Sequence, residues 1–498
     1  MKKILIFTLL FMFCLWGCDQ ETQKTETEGL EYQLSADGTY YILSDIGTAT
    51  DKDIIIPGEH EGLPVVKIKD NAFLNSSIES VKIPNTVQII GKSAFADCIN
   101  LEIIVIPNSV THILENAFYG CNNLIIYCEA QTIPSTWKHI DRPTHMGVGS
   151  SNIHVQNGTH YILNSQTKEA RLAKYNVESN KKIDVEENIK VSNIEYTITK
   201  IDDYAFYKCI SITDVEIPNT IKSIGQYAFY GCSSLESIVI PNNVTCIEEC
   251  TFFGCGKLKS ITLPAGIKKF GSEAFVGCNE LENVYYLGTI EEWLNIEFAD
   301  SKDNPMHYAD NFYMLDNNNE YYLLTELIIS DTIKEITIKK FEGFKCVKKL
   351  IIPNSVESIE IGSFSGYTNL ESITIPFVGV RKEGSRGETF GFIFGNPGQE
   401  MNYSPKSLEE VIITGGEEIG DNAFCFLDKI KSITIPNTVK FIGGDAFFKC
   451  LGLENIYFNG TLEEWKNIEF YNEDSNPMIY AKHLFVLNEN NEYYEVIE

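Results

Sequence analysis

Two pairs of adjacent carboxylates, Glu291 with Glu292 and Glu463 with Glu464, are the first candidates for acid–base chemistry in this 498-residue chain. Each pair follows a threonine in a Thr-x-x-Glu pattern, Thr289 with Glu292 and Thr461 with Glu464, which assigns the second carboxylate to a helix cap. Adjacent helix residues do not converge on one point, so the pairs predict caps and no catalytic dyad.

Fourteen cysteines suggest a disulfide framework or a metal site. Seven of them (Cys98, Cys121, Cys209, Cys232, Cys255, Cys278 and Cys450) stand three residues after a phenylalanine. That fixed place predicts a buried column of thiols packed as small apolar groups. Neighbours in the column fall within disulfide range, so pairing stays open beside the free-thiol reading. Cys246, Cys250 and Cys255 lack the C-x-x-C spacing of a zinc site. The eight histidines stand beside no nucleophile elbow. The runs Asp316 to Glu320 and Asn488 to Glu492 lack EF-hand spacing and read as turns. Neither catalytic residue, metal nor cofactor is expected.

The cysteine column belongs to a repeat. A proline is followed eleven residues later by phenylalanine seven times: Pro84 and Phe95, Pro107 and Phe118, Pro218 and Phe229, Pro241 and Phe252, Pro264 and Phe275, Pro353 and Phe364, Pro436 and Phe447. In the turn Leu235 to Gly256, Ile238 and Ile240 alternate on the inner face of a short strand. Pro241 ends the strand because it has no N–H to donate. Val244 and Ile247 bring the chain back to the core, and Phe252 fills its far side. No single turn can bury its own apolar edge, so turns must stack, with strands ~4.8 Å apart in parallel sheets. The expected fold is mostly β with short helices, a solenoid of 23-residue turns interrupted by helical spacer and cap elements.

Segments such as LESIVIPNNVTCIEECTFFGCGKL and LEIIVIPNSVTHILENAFYGCNNL resemble the BspA-like leucine-rich repeats of bacterial surface proteins, over most of Leu30 to Phe458. The resemblance implies a right-handed solenoid, cell-surface placement, no intrinsic catalysis and, in several relatives, adhesion to host proteins or cells.

Residues 1–17 read as a signal peptide, with Lys2 and Lys3 before an apolar stretch from Ile4 to Leu15. Leu15 to Cys18 resemble a lipoprotein processing site, with Trp16 where a small or β-branched residue is usual. Cys18 is then the expected lipid acceptor. Residues 18–29 form a polar tether. A first repeat block covers 30–132, a linker 133–151, and a second block 152–284. A Trp-containing spacer covers 285–326, a third block 327–456 with an insertion at 377–406, and a C-terminal cap 457–498. The hairpin-like runs Asp37 to Leu43 and Asn157 to Leu163 should each cover a block's open edge. The spacer and cap are duplicates at an offset of 172, with 21 of 40 positions identical between 285–324 and 457–496.

Sixty-nine acidic against 40 basic residues give a net charge of −29. Only four of the basic residues are arginine (Arg142, Arg171, Arg381, Arg386), so nucleic acid is not an expected partner. The leading expectation is a lipid-anchored, surface-exposed module that binds an extracellular or host protein without catalysis, touching the membrane only through its N-terminal lipid. A glycan-binding or carbohydrate-active β-solenoid is the alternative, and an inert surface spacer the second. Two surfaces are candidates. The outward strand positions form a strip that includes Ser237, Val239, Ser260, Thr262, Ser372 and Thr374, rich in hydroxyls and without an aromatic anchor. The insertion joins Arg381, Lys382 and Arg386 with Phe390, Phe392, Phe394 and Tyr403, residue types enriched at interface hot spots, and the alternative is that the phenylalanines simply pack the loop onto the solenoid.

Overall fold

A computed structural model describes residues 26–138, 144–175, 181–382, 389–395 and 404–497. The leader, Cys18, Arg142, Arg386 and Tyr403 lie outside the described residues. The chain forms two compact units, one of residues up to 176 with 188–198, the other of 177–187 with 199–498.

Each turn joins the next along three sides. In the turn around Phe252, the strand Ser237–Val239 pairs in parallel with Ser260–Leu263. Cys246–Ile247 pairs with Lys269–Phe270. On the third side the Cys250, Phe252 and Gly254 N–H groups donate to Ser272, Ala274 and Val276 carbonyls at 3.0, 2.9 and 2.7 Å. Backbone polar groups are thereby satisfied between turns, leaving the interior to side chains. The repeat phenylalanines stack in that interior: Phe206, Phe229, Phe252 and Phe275 are fully buried, with successive centroids 4.9, 5.5 and 5.7 Å apart. In the other unit Phe73, Phe95 and Phe118 stack likewise.

Two residues per turn take left-handed backbone, two before and two after the phenylalanine. In one turn they are Tyr227 and Gly231, in the next Cys250 and Gly254, in the next Glu273 and Gly277. The glycines suit the conformation. The other residues are held in it by the inter-turn hydrogen bonds around them.

The strand Thr144–Met146, inside 133–151, pairs in parallel with Ile125–Cys128 and extends the ladder of the first unit. The strands Ile153–Gln156, Thr159–Asn164 and Glu169–Lys174 then run antiparallel to one another. In the second unit the spacer is an enlarged turn. Asn283–Tyr286 pairs with Asn311–Leu315 across 28 positions, with the helix Ile290–Leu294 between them. The ladder stops at the hairpin formed with Tyr321–Leu323, and a new sheet opens at Glu326–Ile328.

Candidate functional site

Alternation along each strand fixes the outer strip. Ile238, Ile261 and Ile373 point inward and are buried. Ser237, Ser260, Thr262, Ser372 and Thr374 are half-exposed, and Val239 is 60% exposed. The Ser372 hydroxyl donates to Glu410 at 2.6 Å. In the first unit the strip does not run on to the end of the ladder. Ile125 and Tyr127 continue the outward positions Ile103 and Val105, yet both are buried under the antiparallel strands, against Ile153, Ile162 and Ala173. Large apolar groups at outward positions have attracted a second layer there.

The expectation that the strip lacks an aromatic anchor is corrected. Thr262 registers with Tyr285, and Tyr285 with Tyr313. The two rings stack at 4.8 Å, and Tyr321 meets Tyr285 edge-on at 4.9 Å. The duplicate repeats the arrangement: Thr434 registers with Tyr457, and Tyr457 with Phe485. Those rings stack at 4.8 Å, with Tyr493 edge-on at 5.3 Å. Tyr321 and Tyr493 are exposed. The signal was present in the sequence, because Tyr285 and Tyr457 stand 23 residues after Thr262 and Thr434.

The insertion's residues divide between packing and exposure. Phe390 and Phe394 are buried, which removes them from any contact surface. Phe390 lies 5.3 Å from Phe424 and its N–H donates to the Ala423 carbonyl at 2.9 Å, while the Phe364 N–H donates to Ile393 at 2.8 Å. The insertion thus supplies the phenylalanine of a turn, and the flanking strands Ser372–Ile375 and Glu410–Ile413 pair directly. Phe392 is half-buried. Arg381 and Lys382 are exposed beside Ser358–Ile359, with the Lys382 N–H donating to Glu357 at 3.1 Å.

The column cysteines have a further role. Cys98, Cys121, Cys232, Cys255, Cys278 and Cys450 donate through Sγ to the phenylalanine carbonyl of the preceding turn, at 2.9 to 3.2 Å. The Phe252 carbonyl, for example, accepts both the Cys255 N–H and the Cys278 thiol. Burial pushes the Cys278 and Cys450 thiols up to about 12, which keeps them protonated as donors. All twelve cysteines among the described residues are free thiols.

Both Thr-x-x-Glu sequences form complete capping boxes. The backbone N–H of Thr461 donating to Glu464 holds that carboxyl below its usual range. Asp316 and Asn488 each accept two backbone N–H groups within their own hairpin turns. Where the second unit's ladder breaks, a cleft of about 650 Å³ lies between Met314, Tyr322 and Leu324 on one side and Leu327, Ile329 and Ile351 on the other, with Glu291 and Asp331 also lining it.

Solved structures similar to the chain include a leucine-rich cell surface protein from Faecalibacterium prausnitzii, 24% identical over 89% of this chain and 96% of that one, with a TM-score of 0.26. A leucine-rich repeat protein from Bacteroides ovatus is 21% identical over 90% and 97%, with a TM-score of 0.31. One from Bacteroides capillosus is 29% identical over 28% of this chain and 99% of that one, with a TM-score of 0.26. No curated protein matches. The family model described as a BspA type leucine rich repeat region (6 copies) matches residues 66–189, 184–304, 317–385 and 399–491. With most of its length matched and its turns built on the repeat that defines the model, the chain belongs to the BspA-type leucine-rich-repeat family.

Proposed function

We propose that the protein is an exported, lipid-anchored adhesion module that binds an extracellular or host protein on its outward strand face. The observation that carries this reading is the strip itself. Half-exposed hydroxyls run along the strands of the second unit and end, in each duplicate, on three aromatic rings, one of them exposed. Aromatic side chains on a rigid sheet give contact area at small entropic cost. Arg381 and Lys382 add a basic edge to a strongly acidic chain, suited to steering an acidic partner.

The test is binding of the purified chain to an array of matrix and serum proteins, with Tyr321→Ala, Tyr493→Ala and the pair Arg381→Ala with Lys382→Ala. Specific retention that the tyrosine variants weaken supports the strand face. Retention by no protein on the array would leave an inert spacer. Asn283 and Asn311, joined by a 3.0 Å hydrogen bond beside Tyr285 and Tyr313, favour a glycan as the second reading, so neutral polysaccharides belong on the same array.

A further inference from the structure

The duplicated element offers a comparison inside one chain. In the first copy, 285–324, the trailing side receives the block that follows. Met306 is fully buried. Gly343, at φ +91°, lies so close that a Cβ there would stand 2.1 Å from the Met306 carbonyl oxygen. The Phe344 ring sits 5.3 Å from Phe312 and 6.5 Å from Trp293. Asn304 Nδ2 donates to the Lys339 carbonyl at 3.1 Å, and Lys340 Nζ donates to the Leu294 carbonyl at 2.5 Å. Burial lowers the Lys340 ammonium, and Glu297 opposes that shift. A lysine-bearing helical turn with a phenylalanine anchor therefore covers an apolar side edged by a carboxylate.

The second copy keeps most of these groups: Trp465, Glu469, Phe470, Asn476 and Met478 replace Trp293, Glu297, Phe298, Asn304 and Met306, while Leu484 replaces Phe312. No block follows among the described residues, and Phe470, Asn476 and Met478 are only half-buried. Two substitutions enlarge the apolar side. Tyr471 stands in place of Ala299 and is 69% exposed, and Ile479 stands in place of His307 and is 52% exposed. The rim differs at Lys466 for Leu294 and at Lys482 for Asp310, where Lys482 pairs with Glu454 at 3.3 Å.

We propose that the face formed by Phe470, Tyr471, Met478 and Ile479, with Glu469 beside it, binds a lysine-bearing segment of a partner protein through an aromatic anchor, as the first copy receives Lys340 and Phe344. Glu469 stands where Glu297 faces Lys340, and it is this carboxylate that calls for a lysine on the partner. The inference is independent of the strand face, because a different surface and a different observation carry it.

The probe is a fluorescent peptide spanning Ile336–Phe344 of this chain, with Glu342→Leu because Ile479 stands where His307 met Glu342, and ending before Lys345 because Lys482 stands where Asp310 met it. Fluorescence polarisation with the full chain should show saturable binding. Ile479→Asp and Glu469→Lys should each weaken it by about tenfold or more. Ser260→Lys on the strand face should leave it unchanged, as should the melting temperature of each variant, since Ile479 and Glu469 are exposed. A peptide also carrying Lys340→Ser and Phe344→Ser should not bind. Absence of saturable binding, or binding that either face variant leaves unchanged, overturns the proposal. Neither result bears on Tyr321 and Tyr493.

Discussion

At the scale of single residues, the phenylalanine column gives a direct test of packing. Phe252 is fully buried between Phe229 and Phe275, so Phe252→Ala should cost about 3 to 5 kcal/mol, read as a fall in the urea midpoint. His160 gives a prediction in pH. Burial pushes its imidazole down to about 3, with Lys174 and His145 adding to the shift, and Nδ1 lies 3.1 Å from the Tyr127 hydroxyl. Between the ordinary value near 6.5 and about 3, the unfolded chain binds a proton that the folded one does not. Stability should therefore fall as pH falls through that window. From pH 7 to 4.5 the loss should be roughly 2 to 3 kcal/mol larger than in His160→Gln, measured by denaturant titration at both pH values. The phenylalanines and the cysteines after them were legible in the sequence because residue type and position coincide. The left-handed positions two before each phenylalanine were not. Tyr227, Glu273 and Asn116 share a backbone conformation without sharing chemistry, and only the inter-turn hydrogen bonds single them out.

At the scale of elements, Gly343 joins two parts of the second unit. Gly343→Ala should destabilise clearly more than Gly254→Ala. Both residues have positive φ, worth about 1 kcal/mol against alanine. At Gly254, however, the nearest atom to an added Cβ is 3.7 Å away, whereas at Gly343 a backbone carbonyl would have to move. Thermal melts of the two variants check the order. The capping boxes were readable from Thr-x-x-Glu alone. The second layer over Tyr127 was hidden. An outward tyrosine reads as exposed until the chain 26 to 47 residues further on is known to return and cover it. The insertion stayed open between packing and binding for a related reason. Its phenylalanines do not keep the eleven-residue spacing from a proline, yet Phe390 fills the place between Phe364 and Phe424.

At the scale of the whole molecule, repetition made the fold legible and the function much less so. A stack of turns can be derived from spacing, whereas a binding surface depends on which outward positions break the pattern. Lipid anchoring rests on the residues before the described part. Cys18→Ala should release the protein from membranes into the soluble fraction, checked by fractionation and by loss of metabolic acyl labelling. Unchanged membrane retention would remove the anchor from the proposed function.

Tryptophan occurs at three places among the described residues: Trp137 in the first unit, Trp293 in the enlarged turn and Trp465 in its duplicate. All three indoles are buried, and the N–H groups of Trp137 and Trp293 find no acceptor. Each is thus a separate lamp in a dry setting. With two of the three replaced by phenylalanine, emission would shift to the red when its own stretch of the stack opens to water. Three such variants would show whether the protein melts as one body or frays from an end, and Trp465, 6.0 Å from the half-buried Phe470, would also report on anything that settles against that ring.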